Sequence, residues 1–328
     1  MMKILSEIAD SYGLHELHKK FNENNQFYYG KNEVEKFKGD YSKFYAKPSL
    51  PKTYFEQENV KGDYIYGDYI KGKLKFLSEV KNGPTNIEAI FHYNICVSEK
   101  NKDINVILIH GWKSDLNRLN SIFSESFISK GYNIYSYVLP FHLERASKSS
   151  PYDCFFSSNV NRTLKSVQQS ISDIRALISY IKDKNKGKII IIGLSIGGAI
   201  SNLLSEVEEN IDLLISLFYG NNFAFSALET DAGKYIKKEL LKNNFNSSLL
   251  NENWSIINSS LRKPIIDLDK ILLVSGKYDK YVLNTDTDKL WENWGKPKRK
   301  ILKCGHSGIK LCQKSIREET LKFIEERV

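Results

Sequence analysis

Three short stretches carry side chains that could together make and break an acyl bond: Gly193-Leu194-Ser195-Ile196-Gly197, Ser275-Gly276-Lys277-Tyr278-Asp279 and Cys304-Gly305-His306-Ser307-Gly308. A serine hydroxyl is a weak nucleophile and needs a base to take its proton as it attacks. Histidine is the usual base because its unperturbed pKa lies near neutrality, and a carboxylate behind the ring fixes its tautomer and stabilises the imidazolium. The chain supplies these types in the order Ser195, Asp279, His306. Asp286 and Asp288 compete for the acid's place, but they fall inside a helical pattern, whereas Asp279 lies just beyond an apolar run. His15, His18 and His92 belong to the N-terminal region and have no comparable setting.

The segments that must position these residues alternate in character. Short apolar runs (INVILIHG, GYNIYSYVLP, KIIIIG, IDLLISLFYG, KILLVSG, RKILKCG) alternate with helical patterns over Leu116–Lys130, Asn159–Lys184, about Gly197–Glu208, Asp286–Trp294 and a last segment to Val328. Runs of this kind are strands of a mostly parallel sheet with helices on both faces, and ligands bind beyond the carboxyl ends of such strands. Ser195, Asp279 and His306 all stand at such ends. The serine sits in G-x-S-x-G between a strand and a helix, where it must occupy a strained turn that flanking glycines permit. The N-terminus of the following helix favours developing negative charge there.

The motifs together resemble the α/β-hydrolase superfamily from about Tyr64 to Val328, through the elbow GLSIGG, the acid loop SGKYDKYV, the histidine loop CGHSG and LIHGW after an early strand. The resemblance implies an α/β-hydrolase fold with Ser195 as nucleophile, His306 as general base and then acid, and Asp279 as orienting carboxylate. It further implies an oxyanion hole from the backbone N–H of Ile196 and of Trp112. The stretch LPFHLER is similar to the LP-x-H-x-x-R of some esterases and peptidase-like hydrolases of the dienelactone-hydrolase type. It follows a strand end, which makes His142 and Arg145 candidates to line the pocket; Arg145 could instead fix its own loop through Glu144 or Asp153. His110-Gly111-Trp112 departs from the HGGG of many lipases. The expected function is a serine hydrolase acting on an ester or related acyl bond. The alternatives are a thioesterase or small-peptide hydrolase with the same triad, or a catalytically silent binding module.

Residues 1–63 form an extension in this reading and 64–328 the hydrolase domain. Ile4, Leu5, Ile8, Tyr12, Leu17 and Phe21 recur at near-helical spacing, and beyond Tyr64 two β-like runs flank the turn signal KNGPT. The extension could cover the pocket or add strands. Asn221–Lys263 exceeds what the sheet needs and reads either as a helical cap over the site or as packing against the sheet edge.

The formal net charge of +9 comes from lysines scattered among acids, which is a solvated surface more than a nucleic-acid footprint. The denser run Lys296–Lys300 reads either as a phosphate or headgroup contact or as a basic loop before a strand. Cys96, Cys154, Cys304 and Cys312 show no metal or disulfide spacing. No secretory leader is evident at the start, and no window approaches the roughly 18 apolar residues of a membrane span. These features predict a cytoplasmic enzyme with a small-molecule acyl substrate, no metal and no organic cofactor, and no nucleic-acid partner.

Overall fold

A computed structural model describes residues 2–19, 26–37, 40–57, 69–97, 99, 103–146 and 155–328. Its strands are β1 (Tyr54–Gln57), β2 (Tyr69–Leu77), β3 (Glu88–Cys96), β4 (Ile104–Ile109), β5 (Asn133–Tyr137), β6 (Lys188–Leu194), β7 (Leu213–Leu217), β8 (Ile271–Gly276) and β9 (Lys298–Leu302). They form one sheet in the order β1-β2-β3-β5-β4-β6-β7-β8-β9. Pairing is antiparallel from β1 through β2 and β3 to β5, and parallel from β5 to β9. The chain runs from β4 outward to β5 and then returns to β6 on the other side of β4. That reversal makes the β4–β6 boundary the switch point at which open α/β sheets bind ligands.

The isoleucine run of β6 explains why the sheet is covered on both faces. Ile189 and Ile191 pack with Ile107, Ile109 and Leu214 on one side. Ile190, Ile192 and Leu194 pack with Val106, Leu108 and Ile215 on the other. Alternate side chains point to opposite faces, so a strand buried on both must be apolar throughout. The first face receives the long helix α5 (Val160–Lys184), capped where Asn159 accepts from Arg162 N at 2.9 Å, and α6 (Ile196–Leu204). The second receives α4 (Asn117–Ser129) and the C-terminal α11 (Gln313–Glu325).

Between β7 and β8 stand α7 (Phe223–Glu229), α8 (Lys234–Lys242) and α9 (Ser247–Asn253), followed after β8 by α10 (Asn284–Asn293). Phe223, Leu228, Ile236, Leu240, Leu250 and Trp254 of the first three helices and their connections belong to the larger core, and Trp254 Nε1 donates to Val160 O of α5 at 3.2 Å. Residues 221–263 are thus anchored in the core that α5 also enters. The basic run Lys296–Lys300 leads into edge strand β9, where Lys298 and Lys300 pair with Glu319 at 3.6 and 3.3 Å and Arg299 with Asp288 at 2.6 Å. Charge on an edge strand also discourages pairing with other chains.

The N-terminal segment both adds to the sheet and leaves it. It contributes α1 (Met2–Lys19), the short α2 (Lys31–Glu35) and α3 (Tyr41–Phe44), and β1. The face of α1 suggested by its apolar spacing is not the one that docks. Ile4, Leu5, Ile8 and Tyr12 are 60%, 46%, 62% and 67% exposed, while Ser6, Asp10 and Leu14 are buried. Phe21 and Tyr64 fall outside the described residues. No helix among the described residues is long and apolar enough to cross a membrane.

Truncating the central strand tests this packing. Ile191→Ala removes a fully buried side chain and should cost about 2–5 kcal/mol in urea unfolding. A loss below about 0.5 kcal/mol, as for a surface change, would place β6 outside the core.

Candidate active site

Ser195 follows β6 directly and precedes the first residue of α6, with φ 58° and ψ −118°. A non-glycine residue holds positive φ only when its surroundings over-determine it. Here its N–H donates to Leu217 O at 2.9 Å, and its carbonyl accepts from Ala199 N at 3.0 Å to begin the helix. The glycines on either side are required by contact. A Cβ at Gly193 would fall on Gly197 O and Ser201 Oγ, and one at Gly197 would fall on the carbonyl oxygen of Ile109, at the end of β4.

The three candidate side chains lie in one hydrogen-bonded line. His306 Nε2 is 3.0 Å from Ser195 Oγ, and His306 Nδ1 is 2.8 Å from Asp279 Oδ2. Asp279 Oδ1 accepts from the N–H groups of Tyr281 and Val282, each at 2.8 Å. The Asp279 carboxylate thus faces Nδ1 of the ring, which leaves Nε2 directed at the serine hydroxyl. Tyr281 stacks on the imidazole at 4.6 Å with 19° between planes, a contact the sequence did not single out. The competing acids are engaged elsewhere. Asp286 accepts from Asn221 N at 2.9 Å and is pushed up to about 6 by burial, and Asp288 holds Arg299.

Opposite the elbow, the loop after β4 brings Gly111 so close that a Cβ there would lie 3.3 Å from Ser195 Cβ. Two buried histidines fix this loop. His110 Nδ1 donates to Gly111 O at 2.8 Å while its Nε2 accepts from Leu139 N at 3.1 Å. His142 Nδ1 donates to Pro140 O at 2.8 Å while its Nε2 accepts from Lys113 N at 3.0 Å. Each ring thus ties the loop after β4 to the loop after β5. Both acceptor roles need a neutral ring, and burial favours it, lowering His110 to about 4 and His142 well below its ordinary value. Trp112 lies at the cavity wall against Phe156, with ring centroids 5.2 Å apart.

The expectation that His142 and Arg145 line the pocket is corrected. Both are completely buried and neither borders the cavity at Ser195. Arg145 fixes its own loop, but through a partner other than the two neighbours considered: Nη1 donates to Asp173 Oδ2 on α5 at 3.1 Å, to Tyr137 Oη at 2.9 Å and to Val138 O at 2.9 Å. Glu144 instead meets His92 at 2.7 Å and Lys73 at 3.0 Å, and Asp153 lies outside the described residues.

A cavity of about 420 Å³ opens above Ser195, within the size range of small-molecule sites. One side is formed by strand-end residues, including Gly111, Trp112, Ser195 and His306. The other is α1, through Ala9, Tyr12, Gly13, Glu16 and Leu17, whereas residues 221–263 contribute nothing to the lining. A wall from the extension was one of the two roles open to it, and Tyr12 and Leu17 of its apolar spacing lie on that wall.

Fold and loop order together define the class: this is an α/β-hydrolase fold. The acetyl xylan esterase from Paenibacillus sp. R4 shares it with a TM-score of 0.66 at 11% identity, over 96% of this chain and 99% of that one. Acetyl xylan esterase 1 from Thermoanaerobacterium sp. JW/SL YS485 shares it with a TM-score of 0.60 at 12% identity, over 89% and 99%. No family model matches the chain. The chain belongs to the family of the uncharacterized protein YdjC of Bacillus subtilis (strain 168), with 42% identity over 115 residues that are 35% of this chain and 99% of that protein.

The two buried histidines give stability a pH dependence. Unfolded, each binds a proton below about 6.5. Folded, His110 does so only near 4 and His142 only well below its ordinary range, so the unfolded chain carries more protons in between. Their contribution is therefore complete above about pH 6.5 and is lost as pH falls toward 4. Melting temperature should drop over that window, and less steeply in His142→Asn; identical slopes in the two proteins would contradict it.

Proposed function

We propose that this chain is a serine hydrolase that cleaves an ester or related acyl bond through an acyl-enzyme on Ser195. The observation that carries the reading is the unbroken line from Ser195 Oγ through both ring nitrogens of His306 to Asp279, at 3.0 and 2.8 Å, beginning on a strained strand-to-helix turn. In this mechanism Ser195 Oγ attacks the acyl carbon as His306 Nε2 takes its proton. The carbonyl π electrons move onto oxygen, and the backbone N–H groups of Ile196 and Trp112 receive the oxyanion. Ile196 is the first residue of α6, where N–H groups lack acceptors within the helix. Each donor of this kind contributes about 3 kcal/mol of transition-state stabilisation. Collapse of the intermediate expels the leaving group, which takes the proton from His306. Water then attacks the acyl-enzyme with the same residue as base, releasing the acid and restoring the serine. Asp279 keeps the ring oriented and stabilises the imidazolium through the Nδ1 contact.

Two of the solved structures that share the fold are acetyl xylan esterases, which supports ester chemistry on this fold. A fluorophosphonate should label the folded chain at one site, and Ser195→Ala should abolish labelling and lower kcat on p-nitrophenyl esters by about 10⁴-fold or more. A folded wild type that is neither labelled nor active on esters, thioesters or amides would sink the proposal.

A further inference from the structure

The docked face of α1 is polar, and its buried carboxylate reaches the two loops that carry the histidine and the acid. Asp10 is fully buried. Its Oδ2 accepts from Lys280 N and from His306 N, each at 3.0 Å, and its Oδ1 accepts from Ser307 N at 2.7 Å. Lys280 directly follows Asp279, so one side chain bridges the backbone beside the proposed acid to the backbone of the proposed base. The surfaces are shaped for this approach. A Cβ at Gly305 would lie 2.5–2.7 Å from the Asp10 carboxylate, and one at Gly13 would collide with Ser307 Oγ and Tyr281 Oη.

On the strength of these contacts we infer that Asp10 is a positioning residue, a clamp from the N-terminal helix that holds the Asp279 and His306 loops in register with Ser195. The inference rests on the serine-hydrolase reading and extends it to residues far outside the motifs. Three converging N–H groups need an acceptor that is anionic on both oxygens, and an asparagine there would turn an NH₂ group toward a donor. Ile4, Leu5, Ile8 and Tyr12 of the helix remain exposed, so its seat is set by Leu14 together with the polar contact. The same helix walls the cavity through Tyr12, Gly13 and Leu17, and the clamp thereby joins the substrate pocket to the catalytic loops.

Asp10→Asn should lower kcat on a p-nitrophenyl ester about 10–100-fold, the cost of a displacement near 1 Å, with KM little changed. Fluorophosphonate labelling of Ser195 should slow in parallel. Leu14→Ala, which removes a buried side chain from the same helix without touching the clamp or the cavity, should lower the melting temperature and leave kcat unchanged. Wild-type kcat in Asp10→Asn, or equal loss of kcat in both variants at matched stability, overturns the positioning role while a labelled wild type leaves the hydrolase reading intact. An unlabelled, inactive wild type overturns both. Should Asp10→Asn fail to fold, amide hydrogen exchange in the wild type decides: protection at Lys280, His306 and Ser307 supports the clamp, and exchange at free-loop rates overturns it.

Discussion

Ser195 is held at φ 58° and ψ −118°, and much of the fold is arranged around keeping a non-glycine residue there. Such a conformation costs on the order of 1–3 kcal/mol and persists only where the surroundings leave no alternative. Strand β6 must end and helix α6 begin across that single residue. The turn is sharp enough that Gly193 and Gly197 touch, and Gly197 in turn lies against the carbonyls of Ile109 and His110. The elbow can therefore form only if β4 is the neighbour of β6, and that adjacency delivers the Gly111–Trp112 loop to the serine. A strand buried on both faces by Ile189 to Ile192 provides the rigid seat against which the strain is held.

The carboxylates and histidines around the elbow are held by backbone and side-chain partners on neighbouring loops. Asp279 gives one oxygen to two backbone N–H groups and the other to His306, and Asp10 accepts three N–H groups from the loops on either side. His110 and His142 serve a different purpose from His306 although the residue type is the same. Buried and neutral, they act as hydrogen-bond spacers between the loops after β4 and β5. Arg145, Tyr137 and Asp173 form the layer beneath, and a buried guanidinium in such a place is held by the carboxylate it meets.

The parallel half of the sheet was legible because burial on both faces forces uninterrupted apolar runs, and the ends of those runs point to the residues that carry chemistry. Ser195, Asp279 and His306 were singled out on that logic, and their side chains are in hydrogen-bond contact. What could not be read was decided by contacts distant in sequence or by polarity in unexpected places. Asp10 meets Lys280 and His306 across 270 and 296 residues, and no periodicity signals a helix that docks by a carboxylate. The partner of Arg145 lies 28 residues downstream on α5, whereas local reasoning could offer only Glu144 and Asp153. The same limit applied to residues 221–263, whose apolar content is compatible with a cap and with packing against the sheet edge; the bond from Trp254 to Val160 of α5 spans 94 residues and leaves no local signal.

On the proposed mechanism an acyl group passes through Ser195. Rapid mixing with a p-nitrophenyl ester, acid quenching within the first turnovers and peptide mass analysis would measure this directly. The account predicts a burst of p-nitrophenol, the acyl mass on the peptide containing Ser195 during turnover, and its disappearance once substrate is exhausted. Continuous ester hydrolysis by the folded chain with no acyl mass on Ser195 at any time, and unchanged in Ser195→Ala, would contradict it.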